Sequence, residues 1–145
     1  MLRAAIPLYQ ARRKSIRCAE VVMNRKSVLY WSATVPFVAM FTMSAVSGLA
    51  GGGAVQEGIA RLGYPAYFVV LLSLWKLAGV LALVAPGLPR LKEWAYAGFF
   101  FTLTGASVSH AAAGDPTSSV VTPIVLVAVG LASYLLRPAG RTLPE

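Results

Sequence analysis

Apolar residues fall into four long blocks, at 28–49, 65–85, 94–112 and 116–136, separated by short polar or glycine-rich stretches. About 20 helical residues cross a hydrocarbon core, so each block has the length of one membrane helix. The punctuation agrees. Pro65 suits a first helical turn, Pro86 falls where the second helix should stop, and Gly114 can provide a left-handed cap for the third. Asp115 and Pro116 then read as an N-cap followed by a first-turn proline. Pro36 and Pro123 lie inside blocks, where each removes a backbone hydrogen bond and predicts a local bend.

Between the first two blocks, "GLAGGGAVQEGIARLGYP" starts with a glycine turn. Val55, Ile59 and Leu62 then recur at helical spacing, which predicts a short amphipathic helix on the outer surface. Glu57 lies on its polar side, either facing the mouth of an interior pocket or simply solvated.

Composition fixes the solvent for which these blocks are written. The chain is 57% hydrophobic and 12% charged, with a mean hydropathy of +0.68. At 145 residues it is too short for two large domains, and a soluble core cannot absorb so many leucines, valines and alanines. The fold class expected is all-α, a transmembrane four-helix bundle spanning 27–137, with a short tail at 138–145.

Charge sets the orientation. Of thirteen Lys and Arg residues, seven precede the first block; Arg90 and Lys92 lie between the second and third, and Arg137 and Arg141 follow the fourth. The opposite side has only Arg61, so both termini are expected in the cytoplasm. A pI near 10.2 raises the question of nucleic acid, but these residues flank spans instead of forming one groove, and no nucleic-acid partner is expected. Residues 1–26 form a basic extension. It reads as a transit-like segment, a mobile surface helix or an upstream start, because "MNRKSVLYW" from Met23 already has the form of a membrane-protein beginning.

The inventory of chemical groups is short. Cys18 is the single cysteine and lies outside the blocks, so a disulfide relay within one chain is excluded. One histidine cannot supply a bis-histidine haem, and no cluster has zinc or di-iron spacing. No phosphate loop, HExxH motif or nucleophile triad occurs. No catalytic residue, metal site or cofactor held by the chain alone is expected, nor an enzyme acting by itself.

Lys76 stands out, in the middle of "LLSLWKLAGVLAL". About 11 residues into its block, its Cα lies ~16 Å from the outer end, near the midplane. A charge there costs ~2.5–3.5 kcal/mol even on lenient insertion scales, so the side chain should face the bundle interior. Ser73 lies one turn earlier. Ser44 and Ser47 in the first block, and Ser107, Ser109 and His110 in the third, fall on the same side of the midplane. Together these residues outline a polar pocket, with Glu57 and Asp115 at its mouth. His110 comes ~10–13 Å above Lys76, a separation that fits two walls of one cavity better than direct contact. The competing account makes Lys76 structural, bonded to neighbouring hydroxyls and carbonyls, and His110 an interfacial residue satisfied by water or backbone.

Four stretches share an order and spacing with a known family: "LGYPAYF" opening the second block, "WKLAG" within it, "LPRLKEWAYAGFFF" entering the third, and "SHAAAGD" leaving it. Over 28–136 the chain resembles the DoxX-like family of small four-helix membrane proteins. The resemblance implies a multi-pass protein of the bacterial inner membrane, in a family whose name links some relatives to quinone-linked sulfur oxidation or membrane redox complexes. One expectation is an accessory subunit that accepts a quinone or other lipid-soluble ligand at Lys76 and His110, while a partner protein transfers electrons. Another is a structural or scaffold protein without a ligand. A transporter comes third, since four short helices leave little room for alternating access unless the chain forms a homo-oligomer.

Overall fold

The computed structural model describes residues 5–51 and 53–143. Among these, the α-helices are α1 (Ala5–Leu49), α2 (Gly53–Arg61), α3 (Ala66–Val84), α4 (Pro89–Ala112) and α5 (Thr117–Leu135), followed by a 3-10 turn at Ala139–Arg141. No strand occurs among the described residues. The all-helical expectation holds, and the bounds differ at two places. Helix α1 does not start near residue 28 but runs for 45 residues. No glycine or proline lies between Pro7 and Pro36, so nothing in the sequence interrupts it. Helix α4 begins at Pro89, not 94, with the proline at its first position and Leu88 held at φ 54° before it.

Three helical stretches are long and apolar enough to cross a membrane: Arg25–Leu49, Ala66–Val84 and Thr117–Leu135. Helix α4 has the length, at 24 residues. Its composition sets it apart, since it carries Arg90, Lys92 and Glu93 at its start and Thr102, Thr104, Ser107, Ser109 and His110 further on. The outward surface of the bundle is apolar. Trp75 and Trp94 are 68% and 78% exposed, and Leu81, Phe101 and Leu135 are exposed with them. Surfaces of this kind match hydrocarbon rather than water.

Helix α1 packs on α3 and α5, and α4 packs on the same two; α2 lies outside, against α1 and α3. The centre is a cluster of Phe37 and Phe41 from α1, Val80 and Leu83 from α3, and Tyr96, Phe99 and Leu103 from α4. Ring centroids of Phe99 lie 4.4 Å from Phe41 and 5.3 Å from Phe37. Two glycines admit these rings. A Cβ on Gly79 would lie 2.7 Å from the Phe99 ring, and one on Gly130 would lie 3.0 Å from that of Phe37. Small residues at a helix contact are the usual device where packing drives association.

At one end of the bundle, here called the base, polar groups satisfy one another internally. Ser133 of α5 lies 2.6 Å from the Thr34 hydroxyl and 2.7 Å from the Tyr96 hydroxyl, joining three helices in a buried network. Lys92, read from sequence as a loop charge that sets orientation, is fully buried. Its amine donates to the carbonyls of Ala82 at 2.7 Å and Leu83 at 3.4 Å, and also to that of Ala85. These are the carbonyls that the end of α3 leaves without helical partners, where the helix dipole also favours a cation. Arg141 donates to Leu83 O at 2.8 Å and lies over the Trp31 ring at 4.8 Å. Arg137 bonds Glu93 at 2.7 Å and covers the Tyr134 ring at 3.9 Å.

Replacing Gly79 with Ala should cost ~1–3 kcal/mol, the usual penalty of overpacking, because Phe99 is boxed in by Phe37 and Phe41. Gly98→Ala, on a part of α4 where an added Cβ meets nothing within 4 Å, should cost nothing measurable. Thermal unfolding of the two variants in one detergent checks the contrast; equal midpoints would show that the Phe99 ring moves freely.

Candidate functional site

Two short motifs build the other end of the bundle, here called the mouth. Gly63-Tyr64-Pro65 and Gly114-Asp115-Pro116 have the same design. Each glycine takes a left-handed conformation, with φ 85° at Gly63 and 70° at Gly114, and each proline precedes the next helix. The backbone bonds match as well. Gly63 N–H donates to Ala60 O and Tyr64 N–H to Ile59 O, while Gly114 N–H donates to Ala111 O and Asp115 N–H to His110 O. This is the paired-bond closure that satisfies the last carbonyls of a helix. In each motif the middle residue is delivered to the mouth.

Asp115 does not serve as the expected N-cap. Pro116 occupies that position, and no side chain caps α5. The carboxylate, 5% exposed, instead pairs with Arg61 at the end of α2 and accepts from His110 Nδ1 at 2.6 Å. A carboxylate partner at Nδ1 requires a proton on that nitrogen. Tyr64 makes a second link across the mouth, with its hydroxyl 2.8 Å from Ser109 of α4 and its ring stacked on Phe68 at 4.7 Å.

Beneath these links is a cavity of about 580 Å³. Its walls come from α1 (Met40, Phe41, Ser44), α2 (Val55, Ile59) and the turn after it (Leu62), α3 (Phe68, Leu72, Lys76) and α4 (Phe101, Thr102, Leu103, Ser109, His110). Val55, Ile59 and Leu62 are the half-buried positions of the α2 segment and its neighbours are exposed, so its apolar face turns inward over the cavity. Lys76 reaches into this space and donates to Ser44 Oγ of α1 at 3.0 Å. Three ion pairs occur among the described residues, and none includes Lys76.

The structure brings Lys76, Ser44, Ser109 and His110 to one cavity. The other residues expected there lie elsewhere. Ser73 is buried against Gly48 of α1, where an added Cβ would meet its hydroxyl. Ser107 donates to Val120 O at 2.8 Å and links α4 to α5. Ser47 is half-buried and does not line the cavity, and Glu57 is exposed on the outer side of α2. Asp115 acts one step back, through Arg61 and His110. Sequence reasoning missed Tyr64 and the pairing role of Arg61. The repeated glycine, middle residue, proline pattern was the available signal for Tyr64; Arg61 had none, because its partner is 54 residues away.

A family model described as the DoxX-like family matches residues 32–133, most of the chain. No curated protein and no solved structure gives a significant match.

The Arg61–Asp115–His110 group is the charged tie between α2 and the α4–α5 turn. Asp115→Ala should therefore speed backbone hydrogen exchange across residues 53–61 while leaving exchange around Phe37 and Phe99 unchanged. Unaltered exchange in α2 would mean that its apolar contacts alone hold it.

Proposed function

The chain belongs to the DoxX-like family, and on that premise we propose that it is a small-molecule-binding accessory subunit of the bacterial inner membrane. In this reading it crosses the bilayer four times with both termini in the cytoplasm. The cavity at Lys76 holds a lipid-soluble ligand such as a quinone, and a partner protein in the same membrane carries out any electron transfer.

One observation carries the reading: an amine deep in a largely apolar cavity, with a single hydroxyl as its hydrogen-bond partner and no acid among the described residues. An ammonium has three donors, and leaving them unused in low dielectric is expensive. A purely structural lysine is expected to resemble Lys92, whose amine is fully enclosed by the carbonyls of Ala82, Leu83 and Ala85. Lys76 instead borders open volume.

The four-span topology rests on the asymmetry of basic residues and on packing at the base. The base gathers Lys92, Arg137 and Arg141, while the mouth has Arg61. Helix α4 spans with the others because α3 and α5 flank it, so its threonines and serines bond within the bundle or to their own helix, as Thr102 does to Gly98 O and Ser107 to Val120 O.

Two measurements test the proposal. With Cys18 replaced by serine, cysteines at Gly53 and Gly140 should label from opposite faces of the membrane; labelling from one face ends the four-span reading. Mild detergent extraction followed by analysis of copurifying small molecules should find a lipid-soluble compound with the wild type that is lost in Lys76→Met, while the variant melts within ~1 kcal/mol of wild type or above it, since an expensive polar group is gone. A structural lysine predicts a loss of ~1–3 kcal/mol with nothing bound to either form.

A further inference from the structure

Lys76 lines two cavities. The second, about 380 Å³, is a groove between α3 and α4 bounded by Trp75, Gly79, Leu91, Trp94, Gly98 and Phe99. It shares Leu72, Lys76 and Thr102 with the larger cavity. The two differ in character. Ser44, Tyr64, Ser109 and His110 make the larger one partly polar. In the groove, Lys76 and Thr102 are the polar side chains, and its rim is formed by the two highly exposed tryptophans. In a bilayer that rim faces hydrocarbon. The groove is thus a lateral path from the acyl region to the amine of Lys76.

We propose that the ligand is a lipid-soluble acid, a carboxylate on a long apolar chain, with its anion on Lys76 Nζ and its chain in the α3–α4 groove. This rests on the reading above that the cavity holds a lipid-soluble molecule, and it names the class. Charge selects it. Asp115 is taken by Arg61 and His110, Glu93 by Arg137, and Glu57 lies exposed on the outer side of α2, so no acid among the described residues pairs with Lys76. The Cα of Lys76 lies ~16 Å below the mouth-side end of the span, deeper than a phospholipid headgroup held at the interface. A single-chain acid has no such restriction, because it crosses hydrocarbon as neutral RCOOH. On meeting the unprotonated amine, the carboxyl O–H bond breaks and its proton forms the third N–H bond of the ammonium. RCOO⁻ and the cation result, and no net charge enters the membrane. Ser44 Oγ then remains as acceptor for one N–H while the carboxylate takes the others.

Native mass spectrometry of the detergent-solubilised full chain tests this with three probes: palmitic acid, methyl palmitate and the neutral quinone menadione. Palmitic acid should form a saturable one-to-one adduct, with a midpoint roughly tenfold or more below that of the ester, the scale of one charge-assisted hydrogen bond. Lys76→Met should abolish this preference while still binding the ester. Gly98→Phe, at a groove position where an added Cβ meets nothing within 4 Å, should weaken acid and ester alike. Equal binding of acid and ester by the wild type, or a preference retained in Lys76→Met, overturns the acid while the cavity reading stands on the ester or menadione. If none of the three binds saturably, the cavity reading itself fails. Should Lys76→Met not fold, the wild-type ratio and Gly98→Phe decide.

Discussion

An apolar exterior leaves the interior as the one place where polar side chains can be satisfied, and the arrangement of this bundle follows from that constraint. Hydrocarbon offers no hydrogen bonds, so each hydroxyl, amine and freed carbonyl must find a partner within the chain. Thr34, Ser133 and Tyr96 do so by bonding one another across three helices. Thr42, Thr102, Thr104 and Thr122 bond carbonyls of their own helices. Close approach then becomes the main packing device, and the seating of Phe99 against Gly79 and of Phe37 near Gly130 sets how near the helices lie.

The same constraint makes the two interior lysines informative as a pair. Lys92 closes the end of α3, where unpaired carbonyls and the negative end of the helix dipole already await a cation. Arg141 reinforces it from beyond α5. Lys76 lies in the middle of α3, where the carbonyls are committed to the helix, and it finds one hydroxyl. Identical side chains thus have opposite surroundings, one rich in acceptors and one poor. The proposal that Lys76 is a binding group rests on that contrast.

The mouth shows how local rules place long-range contacts. Two left-handed glycines end α2 and α4 in the same way, and each presents its following residue to the gap between them. Tyr64 and Asp115 then tie α2, α4 and the α4–α5 turn together through Ser109, Arg61 and His110. Helix α2, with no fully buried residue, is held over the cavity by these ties and by its apolar edge.

The sequence by itself determined the solvent, the helical class, the order of the long helices and the amphipathic face of α2. Each of these is a local property: mean hydropathy, block length, helical spacing, and glycine or proline punctuation. It also located Lys76, Ser44 and His110 as polar groups at compatible depths, since depth follows from rise per residue. Rotation about each helix axis was beyond it. Whether Ser73 faces Lys76 or Gly48, and whether Ser107 faces a cavity or the Val120 carbonyl, depends on how neighbouring helices seat against one another. Lys92 is the clearest case. Its place in the sequence reads as a flanking charge, and only the approach of α4 to the end of α3 turns it into a buried cap. Asp115 likewise has the sequence context of an N-cap, yet a cation 54 residues earlier and a histidine one turn back compete for the carboxylate and take it. Ionic and packing contacts between distant segments outweigh a local capping preference worth ~1 kcal/mol, and those contacts exist only once the helices have assembled.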